Sequence, residues 1–153
     1  MAFSADIKAM FHQVYVAEPD REALRFLWWP GNDMTQPPVD YAMNVFLFGA
    51  TCSPSCAAFA LRKTAEDNLT GASNHAVQTV FKNFFVDDLL KSCSSVEEAS
   101  SSVSELCPLL ESGSFHLTKF LSNEPGVLSS VPEDDQASAM LDLNWMTSQQ
   151  RRH

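Results

Sequence analysis

Asp87 and Asp88 are adjacent carboxylates between two short apolar arms, Phe84-Phe85-Val86 and Leu89-Leu90. Arms of this kind predict a β-hairpin whose tip pushes both acids into solvent. Neighbouring carboxylates repel each other unless a cation lies between them. Mg²⁺ suits such a pair, because it takes one or two carboxylates and leaves its other positions to water and substrate phosphates. The dipeptide also fits a plain solvated turn, where aspartate is common. Another acid, Asp6, lies in Ala5-Asp6-Ile7, which reads as the end of a strand, and Met10-Phe11-His12-Gln13 reads as the turn or short helix after it. Cys52 and Cys56 are four apart and could share a helix face, but zinc needs two further ligands. They are read as buried thiols. His12, His75, His116 and His153 are scattered, without HExxH or G-x-S-x-G spacing, so zincin and serine-hydrolase chemistry are excluded.

The elements that must position these acids alternate between strand and helix period, predicting an α+β domain. Arg25–Trp29 is strand-like and is stopped by Pro30-Gly31-Asn32-Asp33. Tyr41–Phe48 is expected as its antiparallel partner, with Tyr41, Met43, Val45 and Leu47 on one face. Ser53-Pro54 predicts an N-cap followed by proline at the first helical position, leading a helix through Cys56–Glu66 that Gly71 closes. A second helix is expected over Asn74–Lys82. Residues 92–104 are serine-rich, yet Val96, Ala99, Val103, Leu106 and Leu110 step by 3 and 4 along one helical face. Ser95 and Glu98 form a capping box at its start, and Gly113 ends it. Phe115–Phe120 alternates as a strand.

The chain of 153 residues has 45% hydrophobic composition and a net charge of −9. One domain with a real core is expected, and a free-standing basic nucleic-acid binder is not. No apolar run approaches the roughly 18 residues of a membrane span. Asp6 and Lys8 interrupt the region where a signal peptide would need its apolar core, so an intracellular, non-secreted chain without a membrane partner is predicted, its cysteines reduced. Beyond Asn123 the chain is polar and acidic, with Glu124, Glu133, Asp134, Asp135 and Asp142 partly offset by Arg151-Arg152. Residues 124–153 are expected as an acidic exit linker.

Three segments stand in a telling order. Asp6-Ile7-Lys8-Ala9-Met10-Phe11 resembles the first catalytic motif of reverse transcriptases, Phe48-Gly49-Ala50-Thr51-Cys52-Ser53-Pro54 the second, and Phe85-Val86-Asp87-Asp88 the aromatic-x-Asp-Asp hairpin of the third. Further segments resemble the reverse transcriptase of Pao/BEL-type long-terminal-repeat retrotransposons: Ala23–Trp29, Leu47-Phe48-Gly49, Ser53–Ala57, Arg62–Asn68, Phe115–Lys119 and Ser122-Asn123. The resemblance runs from about residue 5 to residue 145.

That resemblance implies a polymerase palm-like antiparallel sheet with helices on one face, occupying residues 1–123. Fingers and thumb are absent from it, so the palm is incomplete. It implies an RNA-directed DNA polymerase, with two Mg²⁺ ions (or Mn²⁺ in their place) serving transfer of a nucleotide to a primer 3′-hydroxyl. Asp6 and Asp87 would bridge the metals, the Ile7 carbonyl would add a ligand, and Asp88 would support the site. Phe11 would be the steric gate against a ribose 2′-hydroxyl, though its type also suits a core aromatic. Phe48, Gly49 and Phe85 would line the substrate site, with Gly49 permitting close backbone approach. Lys119 would protonate the departing pyrophosphate or is simply a surface lysine. Arg62-Lys63 would touch template phosphates or solvate a helix. The implied partners are template–primer nucleic acid and a deoxynucleoside triphosphate within a larger polyprotein. Alone, the acidic chain is expected to bind nucleic acid weakly. No Asp-Thr-Gly or Asp-Ser-Gly occurs, so the protease of such elements is not encoded here. The alternative is a catalytically inactive remnant or co-opted protein-interaction module, using the apolar surface that fingers and thumb would cover.

Overall fold

A computed structural model describes residues 1–137. Strands β1 (Ala2–Ile7), β4 (Phe84–Phe85), β5 (Asp88–Ser92) and β6 (Leu117–Ser122) form one antiparallel sheet in the order β4-β5-β1-β6. A separate two-stranded ribbon pairs β2 (Arg25–Trp28) with β3 (Val39–Ala42). Helices α1 (Ser53–Asp67), α2 (Asn74–Lys82) and α3 (Val96–Glu111) pack against one another, and the short α4 (Pro125–Leu128) lies against α3 and β6. The chain is an α+β protein.

The period-2 pattern decides which face of the sheet is covered. Phe3, Ala5 and Ile7 on β1 are buried with Leu89 on β5, and they join Leu61, Val80, Leu106 and Leu110 of the helices in one core. Ser4, Asp6, Asp88 and Leu90 point the other way and stay partly or fully exposed. The expected stripe on α3 faces the core, with Ala99, Val103, Leu106 and Leu110 buried. Its start is capped much as the residues foretell: the Ser95 hydroxyl accepts from the Glu98 N–H at 3.2 Å, while the Glu98 carboxylate accepts from the N–H of Ser94. α2 has the expected bounds, and Ser73 caps it by accepting from the Ala76 N–H at 3.1 Å.

Several expectations need correction. Ser53 is not the cap of α1 but its first residue; it is buried, and its hydroxyl donates to the Leu47 carbonyl at 2.7 Å. The second ribbon strand runs Val39–Ala42 rather than Tyr41–Phe48. Its register to β2 ends at Ala42, after which Val45 bridges Tyr15 and the Phe46 N–H donates to Val14, so that apolar run is divided between two partners. The exit linker does not begin at 124. Val127 and Val131 are buried in the core, and the Ala137 N–H donates to Phe120 beside β6. An apolar spacing of four therefore ties 125–137 onto the domain while Glu133 and Asp134 face solvent. Residues 138–153, with Asp142 and Arg151-Arg152, lie outside the described residues. Cys52 is exposed and Cys56 half-buried, because both stand at the solvent-facing start of α1.

Candidate active site

The two central strands carry the acids. Asp6 is directly opposite Asp88 across β1 and β5. The Ile7 N–H donates to the Asp87 carbonyl at 2.9 Å. That bond makes Ile7 and Asp87 a hydrogen-bonded pair, so Asp6 and Asp88 form the neighbouring non-hydrogen-bonded pair, in which side chains approach most closely. Like charges placed this way are destabilising. Because N–H and C=O of one strand residue point to the same side, the Ile7 carbonyl also faces the β5 hairpin.

Asp87 occupies the loop itself. Phe85 and Asp88 are cross-strand partners, which leaves Val86-Asp87 as a two-residue connection. Val86 has φ 57°, the left-handed value that a tight hairpin demands of its first loop residue and that glycine or asparagine normally supplies. A β-branched residue there is strained. The acid pair is thus held on a turn whose backbone is out of its preferred region, a feature that concentrates at functional sites.

Lys119 approaches from the other side. The register between β1 and β6 shifts by one residue between Ser4 and Asp6, and Lys119 in the shifted segment has φ 53°. This is a β-bulge, which re-aims a side chain and tightens the local twist. The Lys119 ammonium donates to Asp6 Oδ2 at 2.5 Å, with Asp6 23% and Lys119 68% exposed. The hydrogen bond that Lys119 donates to Asp6 and the negative charge of Asp6, reinforced by Asp87 and Asp88, raise the Lys119 pKa. Phe85, 79% exposed, faces the same side as its partner Asp88. Phe85, Asp88, Asp6 and Lys119 therefore form one row across the open face of all four strands.

Phe11 and Phe48 belong to a second cluster. Ala9, at φ 49°, turns the chain out of β1 into a 3₁₀ turn over Met10–Gln13. Phe11 is buried in this turn, and Phe48 packs edge-on against it with ring centroids 4.8 Å apart. Phe48 is exposed, and next to it Gly49 has φ 87° with open space where a Cβ would project. A side chain there would be strained by the backbone rather than by crowding. Phe11 is a core aromatic, a member of the buried cluster with Phe48 packed against it. Arg62 is exposed, and Lys63 pairs with Asp67 one helical turn on at 2.6 Å, so that lysine is committed to its own helix.

Other features were not foreseen. His116 bonds Glu111 through Nδ1 and Asp135 through Nε2, the latter at 2.7 Å, joining α3, β6 and the 133–135 turn. Both carboxylates raise its pKa. Nothing in the sequence separation of 5 and 19 residues flags this triad. Beside it, burial pushes the Cys107 thiol up to about 11, which makes it a poor nucleophile. A groove of about 1000 Å³ runs between α1 and residues 14–24, lined largely by apolar groups such as Val14, Val16, Leu24, Phe46 and Phe59.

The donor set of the open face consists of hard oxygen ligands, which suits Mg²⁺ or Mn²⁺. Two opposed carboxylates meet the requirement of an ion that keeps most of its shell for water and phosphate. Among the described residues, no three His, Cys, Asp or Glu side chains converge into a metal-holding group, and the ammonium of Lys119 is the cation in contact with Asp6. Among the described residues no helix is long and apolar enough to cross a membrane. Comparison with protein-family models and with curated proteins finds no match for the chain.

Proposed function

We propose that the chain is the palm region of an RNA-directed DNA polymerase of the Pao/BEL retrotransposon type, a member of the DNA/RNA polymerase superfamily. The observation that carries this reading is the direct opposition of Asp6 and Asp88 on the two central strands, with Asp87 in the adjoining hairpin loop. The first and third of the segments that resemble polymerase motifs supply those acids. Asp6, Asp87 and Asp88, with the Ile7 carbonyl, would hold two Mg²⁺ ions, which supply charge stabilisation to the attacking and leaving oxygens of an in-line phosphoryl displacement.

The chain's own residues orient the reactants. Phe85 offers an exposed ring on the same face as the acids, suited to stacking against a base or sugar. Phe11 is buried beneath Phe48, so the pair would limit room beside the sugar through the exposed Phe48 ring, and Gly49 leaves the backbone open to close approach. Lys119, beside Asp6, would hold a proton next to the phosphates. With a net charge of −9, the chain has little affinity of its own for template–primer, so partner segments of a polyprotein would supply the basic surface.

A second reading, a non-catalytic protein-interaction module, draws on a specific feature. The β2–β3 ribbon leaves Phe26, Leu27, Trp28, Val39 and Tyr41 exposed, an apolar surface unusual for a ribbon standing alone. Equilibrium binding of a deoxynucleoside triphosphate separates the two readings. The polymerase reading expects binding that requires Mn²⁺ or Mg²⁺ and is lost in both Asp6→Asn and Asp87→Asn. Binding that ignores the metal, or survives both substitutions, contradicts it.

A further inference from the structure

We infer that Lys119 is the resident counter-cation of the carboxylate row, and that a divalent metal reaches Asp6 only by displacing its ammonium. The inference rests on the metal-site reading above and adds to it a residue of the chain that sets metal affinity.

The backbone carries the argument. Leu117 is buried and Thr118 shares the open face with Asp6, so regular alternation would send residue 119 toward the helices. A lysine would then be driven into the core. The bulge prevents this: Lys119 adopts φ 53°, the ammonium swings to the open face, and Phe120 takes the buried position instead. A non-glycine residue in the left-handed region is strained, and the contact that this conformation makes is the one to Asp6 Oδ2 at 2.5 Å. Asp6 is the most enclosed end of the row and faces Asp88 directly. Without a cation between them this pair repels. One ammonium at Asp6 answers that repulsion in the absence of metal, and it occupies an oxygen that a metal would need.

The test measures Mn²⁺ affinity of the whole chain by water-proton relaxation, with wild type, Lys119→Gly and Lys119→Arg compared. Glycine accepts the φ of this position without cost, so Lys119→Gly removes the charge while keeping the bulge. Expected is Mn²⁺ binding about two- to fivefold tighter in Lys119→Gly, the range for loss of an exposed ion pair, with Lys119→Arg close to wild type. In wild type, the Lys119 Cε resonance is expected to shift on addition of Mg²⁺ as the ammonium leaves Asp6. If wild type binds Mn²⁺ and Lys119→Gly binds it equally or more weakly, the displacement is overturned and the metal site stands. If neither protein binds Mn²⁺, the metal-site reading falls and takes the displacement with it.

Discussion

Asp6 and Asp88 are juxtaposed by the β1–β5 register, and two positive φ values frame them, that of Val86 in the hairpin loop before Asp88 and that of Lys119, which brings its ammonium to Asp6. Neither residue type favours a positive φ. The strain at Val86 is worth on the order of 1 kcal/mol, and Val86 also packs against the core, so Val86→Gly is expected to be more stable by about that amount than Val86→Ala, which loses the same packing but keeps the strained φ, in urea titrations. Equal midpoints for the two variants would show that the hairpin is held without strain. How much of this was legible follows from the residues themselves. The acids and their apolar arms are legible, because two short apolar runs around adjacent aspartates fit a hairpin, although the dipeptide alone fits a solvated turn as well. The Lys119 ion pair is not legible. Its signal was there in principle: Phe115 and Leu117 alternate, but the next buried aromatic is at 120 rather than 119. That break of one residue is the mark of a bulge.

At the scale of elements, periodicity forecasts the helices because it is local, while capping does so at Ser95 and not at Ser53, which is the first residue of α1. Ser73 and Ser95 cap α2 and α3, and the α3 stripe is buried as spaced. The second ribbon strand stops at Ala42, short of the expected Phe48, because Tyr41–Phe48 serves two partners, and pairing is a long-range choice that alternation alone does not encode. The meeting of α1 and α3 depends on a glycine whose role is equally non-local. A Cβ on Gly113 would stand 2.2 Å from Thr64 Oγ1 and 2.6 Å from Thr64 Cγ2. Gly113→Ala is therefore expected to destabilise the fold by about 1–3 kcal/mol, the cost of overpacking. Thr64→Ala removes the two nearest atoms, and the double variant is expected to recover part of the loss in a thermal melt. Full additivity of the two changes would argue against a direct clash.

For the molecule as a whole, the acidic C-terminal segment looked like a linker because composition registers its charge and not its two buried valines. What fastens its end is pH-dependent. His116 bonds Glu111 and Asp135, and its pKa in the folded state is raised by them. A raised histidine pKa contributes stability that is fully present below the unfolded value of about 6.5 and is lost as pH climbs through the folded value. Amide-exchange protection of residues 133–137 is thus expected to fall as pH rises across that window, and His116→Gln should flatten the profile; a flat wild-type profile would place the attachment in Val127 and Val131 alone. The open sheet face is the other whole-molecule property, since the helices cover one side and leave the acid row to solvent. Whether that row is a polymerase metal site is most directly read from Mn²⁺ paramagnetic broadening of backbone amides with a deoxynucleoside triphosphate present. The account predicts that amides around Asp6 and Asp87 broaden together and that Asp87→Asn abolishes both effects. Broadening confined to the acidic turn at 133–135 would contradict it.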